Sequence, residues 1–447
     1  MNHFFIETYG CQMNVAESNA IEALLLSCGW AIAERPEDAD LAIINTCSVR
    51  KSAENRIWGR LGAYKRMKAD KAKTGSKMVL VLTGCMADRI ANELKKTAPH
   101  IDYIIGNNDK LKILEIATTE TNAGTLNSSP SSQQTSAENP KYTFTKAYYK
   151  AGDFASYVPI MNGCNNFCSY CIVPYVRGRE ISRSPQQILD EVAFLDSQGV
   201  KEITLLGQNV NSYSYNDLDF PDLLKMVAQK CHNIQWIRFE SPHPKDFSQK
   251  LIDVIATEDR VAKHLHIPMQ SGNTRILGLM NRRYTREQYL DLVHQISSRI
   301  PEMTYAVDVM VGFPGESEAE FLDTISAMAE VGYIEAYMYY WNAREGTRAC
   351  SMEGQIPEPE RQQRLQRLID WQLQNAARIK SQRAYGIQQV LVTQISRDNP
   401  GQLLGRNQHC EMVAFDLAPG ANVNIGDMVN VEFLFLKGNT YQGRQVL

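Results

Sequence analysis

Apolar positions in residues 3–106 fall in short β-rich runs separated by amphipathic stretches. Phe4-Phe5-Ile6, Leu41-Ala42-Ile43-Ile44, Met78-Val79-Leu80-Val81-Leu82 and Tyr103-Ile104-Ile105 read as strands, and residues 15–26 and stretches from Lys51 and Asp88 as helices. This strand–helix alternation predicts an α/β, doubly wound parallel sheet, in which ligands gather outside the carboxyl ends of the strands. Residues 121–140 are rich in Ser, Thr, Asn, Gln and Pro and read as a flexible linker. From about Phe144 to Trp371 the alternation returns, with strands at 157–161, 202–206, 236–239, 264–267, 305–311 and 335–340. Six βα units predict a partial, open (βα)6 barrel with its active site at the strand carboxyl ends. A long charged helix over 357–385 leads to β-rich runs at 389–395, 410–415 and 428–436, separated by turns, which predict a small OB-like antiparallel β-barrel. The expected domains are 1–120, a linker at 121–143, 144–380 and 381–447.

Composition narrows the class. The 447 residues are 44% hydrophobic and 22% charged, with a net charge of −3, so a nucleic-acid partner would need local basic patches. The start, Met1-Asn2-His3-Phe4, has no basic segment followed by an apolar one, and no run is long enough to span a membrane. A cytoplasmic protein without a membrane partner is expected. Ten cysteines are too sparse for a disulfide scaffold, so those in motif spacing read as metal ligands.

The chemistry concentrates in Gly163-Cys164-Asn165-Asn166-Phe167-Cys168-Ser169-Tyr170-Cys171. Cys164, Cys168 and Cys171 can face one soft centre, and three thiolates on a four-iron cluster leave one iron open, whereas structural zinc wants four protein ligands. The next candidates for a fourth zinc ligand, Cys231 and His232, lie far downstream. Cys11, Cys47 and Cys85 each follow an apolar strand of the first region closely, which places them at one sheet edge and points to a second three-cysteine iron–sulfur site. Cys28, Cys350 and Cys410 read as structural, and His264 and His266 as packed or hydrogen-bonded inside the barrel and not as a metal pair.

A basic segment follows Cys47: Arg50, Lys51, Arg56, Arg60, Lys65, Arg66, Lys68, Lys71, Lys73 and Lys77 face only Glu54 and Asp70, with Trp58 and Tyr64 interleaved. It reads equally as a solvated helix face or as a phosphate contact, with Arg50, Arg56 and Arg60 nearest the cysteine. Barrel strand ends supply further candidates: Gly207, Gln208, Asn209, Glu240, Ser241, Gln270, Ser271 and Asn342.

Tyr9-Gly10-Cys11-Gln12-Met13-Asn14, Asn45-Thr46-Cys47-Ser48-Val49-Arg50, Thr83-Gly84-Cys85-Met86 and the 163–171 loop together resemble the methylthiotransferases of the radical S-adenosylmethionine superfamily. Gln12-Met13-Asn14 and the run from Cys171 to Arg183 look most like the bacterial members that place a methylthio group on carbon 2 of N6-isopentenyladenosine at tRNA position 37. The resemblance implies two 4Fe-4S clusters, S-adenosylmethionine as both radical source and methyl donor, and a 5′-deoxyadenosyl radical that abstracts hydrogen from the base. It also implies that some of the strand-end residues hold S-adenosylmethionine. The last sixty residues resemble the TRAM RNA-binding domain, with Arg397, Arg406 and Lys437 as candidate phosphate contacts. An external electron donor, a sulfur source and a monomeric enzyme are expected. Threonylcarbamoyl-adenosine or a ribosomal protein as substrate, and a non-catalytic iron–sulfur RNA-binding protein, are the alternatives.

Overall fold

A computed structural model describes residues 2–48, 51–120, 144, 149–383, 385–397 and 399–447. The expected linker at 121–143 and the expected RNA contact Arg50 lie outside the described residues. The chain forms two compact units, residues 1–148 with 161–165 and 171–183, and residues 149–160 and 166–170 with 184–447.

The first unit alternates β1 (His3–Thr8), α1 (Gln12–Ser27), β2 (Ala31–Ile32), β3 (Leu41–Thr46), α2 (Lys51–Lys73), β4 (Val79–Gly84), α3 (Cys85–Arg89), α4 (Ala91–Thr97), β5 (Tyr103–Ile105) and α5 (Lys112–Glu120). Its strands make one parallel sheet in the order β2-β1-β3-β4-β5. The order reverses between β1 and β3, the place where doubly wound sheets open a ligand crevice. Leu41, Ile43, Val79 and Val81 pack on one face with Phe4, Ile21 and Leu25. Ala42, Ile44, Leu80 and Leu82 pack on the other with Ile57, Leu61, Tyr64 and Met86. Successive side chains serve opposite covered faces, so these strands are apolar throughout. Two details differ from the expectation. β2 is too short to register as an apolar run, and the helix expected from Asp88 begins at Cys85 and breaks at Ile90.

The chain enters the second unit with β6 (Ala155–Pro159); β7 (Met161–Asn162), α6 (Val173–Val176) and β8 (Ile181–Ser182) belong to the first, where β7 and β8 pair antiparallel. The second unit continues with α7 (Pro185–Ser197), β9 (Glu202–Leu206), the hairpin β10 (Ser214–Tyr215) and β11 (Leu218–Asp219), α8 (Phe220–Lys230) and β12 (Trp236–Phe239). Then come α9 (Gln249–Thr257), β13 (His264–His266), α10 (Thr274–Leu279), α11 (Arg286–Arg299), β14 (Thr304–Val311), α12 (Glu318–Val331), β15 (Glu335–Tyr340) and α13 (Glu358–Arg383). The six main strands form two parallel half-sheets, β12-β9-β6 and β13-β14-β15, joined by a bridge between Ile237 and Val261. Because β6 and β15 do not pair among the described residues, the barrel stays open.

At the carboxyl end, β16 (Gly386–Ile395), β17 (Gln402–Arg406), β18 (Met412–Asp416), β19 (Met428–Lys437) and β20 (Thr440–Val446) close into a barrel ordered β16-β17-β18-β20-β19. Val390, Val392, Val413, Phe415, Val431, Phe433 and Tyr441 fill it. The barrel is antiparallel as expected except for β18 and β20, which run parallel where the sheet closes.

Candidate functional site

The register of the first sheet sets Thr8 opposite Asn45, Asn45 opposite Thr83 and Thr46 opposite Gly84, so the segments carrying Cys11, Cys47 and Cys85 leave the same edge. Cys11 caps the start of α1 and is exposed; Cys47 and Cys85 are buried. Gly84 has φ +96, and a Cβ on it would lie 2.3 Å from the Thr46 carbonyl oxygen, so only glycine lets β4 turn directly into Cys85. Polar side chains knit the three loops. Asn14 Nδ2 donates to the Tyr9 and Thr46 carbonyls, both at 2.9 Å, and Thr46 Oγ1 donates to the Thr83 carbonyl at 2.6 Å. Asn14 Oδ1 lies 3.6 Å from Cys11 Sγ, and Asn107 Nδ2 lies 3.7 Å from Cys85 Sγ. The Gln-Met-Asn motif thus ends in the residue that fastens the Cys11 loop to the Cys47 loop.

The segment after Cys171 belongs to the same unit. Ile172 and Val176 pack against Cys85, and the Cys164 amide donates to the Gly178 carbonyl at 3.1 Å. Arg177 is buried and donates to both Glu17 oxygens at 2.7 and 3.1 Å, to Asn162 Oδ1 at 3.0 Å and to Asn14 Oδ1 at 3.1 Å. Lys110 also pairs with Glu17. Burial alone would raise the Glu17 pKa, but the Arg177 and Lys110 charges outweigh it and hold the carboxyl down at about 2. Glu17, Lys110 and Asn107 were not singled out from sequence, because their partners lie far away along the chain.

The middle of the cluster loop belongs to the second unit. Ser169 N donates to the Met280 carbonyl at 3.0 Å and its Oγ to the Leu279 carbonyl at 2.8 Å, while Asn281 Nδ2 donates to the Asn166 and Phe167 carbonyls. Tyr170 meets Phe313 edge-on at 6.4 Å. Arg282, also missed from sequence, places Nη1 3.4 Å from Cys168 Sγ. Among the described residues no three His, Cys, Asp or Glu side chains close on a single ion. The donor chemistry, three cysteines per set with Asn14 beside Cys11, Asn107 beside Cys85 and Arg282 beside Cys168, fits a soft cluster, which is larger than one ion.

Parallel strands place the other candidates at one end of the barrel. Gly207, Gln208 and Asn209 follow β9, Glu240 and Ser241 follow β12, Gln270 and Ser271 follow β13, and Asn342 follows β15. Ser241 and Gln270 have φ +61 and +69, sparsely populated for residues with side chains and typical of functional loops. Asn209 is buried, donates to Asp246 at 2.9 Å and keeps a buried Oδ1 without a partner. Burial raises the Glu240 pKa. Ser271 instead lies 3.4 Å from Thr324 on α12, and Asn342 donates to the Tyr340 carbonyl at 3.1 Å. His264 hydrogen-bonds Thr304 at 2.8 Å inside the barrel, as expected, and His266 Nε2 lies at ion-pair distance, 2.9 Å, from Asp308.

The basic helix α2 divides. Arg60 pairs with Glu7, Lys68 with Asp102 and Lys71 with Asp40, whereas Arg56, Lys65 and Arg66 are exposed. Arg406 pairs with Glu202 inside the second unit, while Arg397 and Lys437 are exposed.

Comparison with known proteins decides the family. The chain matches the uncharacterized protein family UPF0004 over residues 3–106 and the Radical SAM superfamily over residues 158–328. It is 43% identical to the tRNA-2-methylthio-N(6)-dimethylallyladenosine synthase of Treponema denticola, over 98% of this chain and 99% of that protein. The protein of the same name from Bacteroides thetaiotaomicron is 41% identical over 99% of this chain and 96% of that protein. The chain belongs to the tRNA methylthiotransferase family of radical S-adenosylmethionine proteins. Among solved structures, the radical S-adenosylmethionine methyltransferase TsrM of Kitasatospora setae shares the fold with a TM-score of 0.55 at 13% identity, covering 78% of this chain and 77% of that one. The cobalamin-dependent radical enzyme OxsB shares it with a TM-score of 0.51 at 8% identity, over 83% of this chain and 56% of that one. Among the described residues of this methylthiotransferase, no helix is long and apolar enough to cross a membrane.

Proposed function

We propose that this methylthiotransferase converts N6-isopentenyladenosine, also called N6-dimethylallyladenosine, at tRNA position 37 to its 2-methylthio derivative. The carrying observation is the near full-length identity to tRNA-2-methylthio-N(6)-dimethylallyladenosine synthases. Cys164, Cys168 and Cys171 would hold one 4Fe-4S cluster and Cys11, Cys47 and Cys85 the other, each with an iron free of protein ligands. When bound, the clusters and S-adenosylmethionine supply the radical, the sulfur attachment point and the methyl group. The chain's own contribution is positioning. Gly84 and Asn14 set the three strand-end loops, Arg177 and Glu17 anchor the segment after Cys171 beside Cys85, and the strand-end residues from Gly207 to Asn342 line the end of the barrel where S-adenosylmethionine is expected. The carboxyl-terminal barrel serves as a TRAM domain that holds RNA through exposed Arg397 and Lys437. We assign the working domains as 1–120, 144–380 and 381–447, and the enzyme as a cytoplasmic monomer that takes its electron and its sulfur from outside.

The test is anaerobic reconstitution with iron and sulfide, followed by incubation with dithionite, S-adenosylmethionine and isopentenyladenosine-containing tRNA, with nucleosides read by mass spectrometry. About eight irons per chain and a new methylthio nucleoside are expected. Changing Cys11, Cys47 and Cys85 together to Ala should leave about four irons and S-adenosylmethionine cleavage without the product. Cleavage by the wild type with unmodified tRNA would reject this substrate.

A further inference from the structure

Arg282 is buried at 5% exposure. Its Nε lies 3.1 Å from the Tyr284 hydroxyl, its Nη2 donates to the Pro268 carbonyl at 3.1 Å, and its Nη1 lies 3.4 Å from Cys168 Sγ. Tyr284 is tied down in turn, its hydroxyl donating to the Met269 carbonyl at 2.8 Å. Among the described residues no carboxylate comes within ion-pair distance of Arg282, whereas Arg177, the buried arginine near the other cysteine set, has Glu17. A guanidinium out of water needs an anion, since neutral acceptors do not offset the lost hydration of a full charge. Among the described residues it touches two ionisable groups, the Tyr284 hydroxyl, which burial keeps protonated and which donates to the Met269 carbonyl, and the Cys168 sulfur. A neutral thiol would not answer that need, but a thiolate bound to an anionic iron–sulfur cluster would.

The backbone is built to hold this contact. The residues flanking Arg282, Asn281 and Arg283, sit at φ +58 and +60, a left-handed conformation that asparagine adopts readily and arginine seldom. Asn281 Nδ2 donates to the Asn166 and Phe167 carbonyls of the cluster loop. The turn that carries Arg282 is therefore fastened to the loop that carries Cys168.

We propose that Arg282 is a positioning residue that sets the reduction potential of the cluster at Cys164, Cys168 and Cys171, by giving its sulfur Cys168 a charge-assisted hydrogen bond. This rests on the cluster assignment above. One electron enters the cluster from an external reductant, no bond at Arg282 is made or broken, and the added negative charge is stabilised by the nearby cation. Hydrogen bonds to cluster sulfurs and compensating charge raise the potential. Arg282 thus makes the cluster easier to reduce.

The experiment uses full-length chain in which Cys11, Cys47 and Cys85 are changed to Ala, so that one cluster remains, titrated anaerobically with dithionite and followed by electron paramagnetic resonance. Arg282→Gln is expected to keep about four irons and to make reduction roughly tenfold less favourable, about 59 mV for one electron. Arg282→Lys, which restores the charge, is expected to recover most of that shift. An unchanged midpoint in Arg282→Gln overturns the proposal. So does loss of iron from Arg282→Gln, because the residue would then build the site and not tune it. A parent protein that binds no iron at Cys164, Cys168 and Cys171 instead rejects the cluster assignment itself.

Discussion

Arg177 grips Glu17 across 160 residues of sequence, its two terminal nitrogens on the two carboxylate oxygens at 2.7 and 3.1 Å, with both side chains buried. Lys110 approaches the same carboxylate. Removing that carboxylate leaves two buried cations without an anion, and breaking a buried pair costs about 3–5 kcal/mol. Glu17→Gln should therefore lower the urea midpoint of the cluster-free protein markedly at pH 7. The pH dependence has a definite sign. Glu17 titrates at about 2 in the fold, below the unfolded value of roughly 4.3, so its stabilisation is complete above the unfolded pKa and is lost as pH falls toward 2. Through this group the wild type loses roughly 3 kcal/mol over that acid range. Equal urea midpoints for wild type and variant at pH 7 would contradict the role given to the pair.

Gly84 offers a backbone test of the Cys85 loop. An Ala there would sit at φ +96 and press its Cβ to 2.3 Å from the Thr46 carbonyl oxygen and 2.6 Å from its nitrogen. The strained φ alone costs about 1–3 kcal/mol, and relief requires the β3 and β4 ends to separate, which moves Cys47 and Cys85 apart. Gly84→Ala is expected to retain the Cys164 cluster and to lose much of the second, so that reconstituted iron falls from about eight toward four per chain. Gly75→Ala, also at positive φ but with nothing within 4 Å of the added Cβ, is the control and should keep both.

The strand-end cysteines were legible because Leu41–Thr46 and Val79–Gly84 are apolar on both faces, and an uninterrupted run followed by a cysteine is a local signal. Among the barrel strands, Glu202–Leu206, buried along its whole length, was legible for a similar reason. β17 and β20 were not, since Gln402–Arg406 and Thr440–Val446 carry Gln and Arg on the face away from the small core and a buried glycine, Gly405 or Gly443, on the face toward it. The start of α3 at Cys85 depends on the backbone angle of Gly84, which no side-chain pattern announces. Arg177, Glu17 and Lys110, like Arg282 and Cys168, act through contacts between distant parts of the chain. A single sequence carries no record of such pairs, so the ligands could be read and the residues that hold them could not.

Helix α2 presents two kinds of cation, and they should respond differently. Arg60, Lys68 and Lys71 hold Glu7, Asp102 and Asp40 and stitch the helix to the sheet. Arg56, Lys65 and Arg66 face solvent. If α2 contacts the tRNA backbone, changing Arg56, Lys65 and Arg66 together to Gln lowers affinity and reduces the slope of log K against log salt by about one unit per lost phosphate contact. Arg60→Gln should mainly lower stability. A triple variant that binds tRNA with unchanged slope would identify the exposed row as an ordinary solvated face.

The carboxyl-terminal barrel makes the same distinction within one domain. Arg406 pairs with Glu202, a buried carboxylate that Arg238 also holds at 2.8 Å. Burial works to raise the Glu202 pKa, yet Arg238 and Arg406 bring it below the ordinary value, so both cations are engaged in keeping it ionised. Arg238 also donates to the Gln408 carbonyl at 2.9 Å, which ties the β17–β18 turn to the amino ends of the barrel strands. Arg406→Ala leaves Glu202 one partner and should cost less stability than Glu202→Gln, which leaves Arg238 and Arg406 without a carboxylate. Neither change removes a phosphate contact, so the salt slope of tRNA binding should stay as in the wild type. Arg397→Ala and Lys437→Ala should do the reverse, each leaving the free energy of urea unfolding within about 0.5 kcal/mol of wild type and lowering the slope by about 0.7–0.9. A reduced slope in Arg406→Ala would show that this arginine leaves Glu202 to meet RNA.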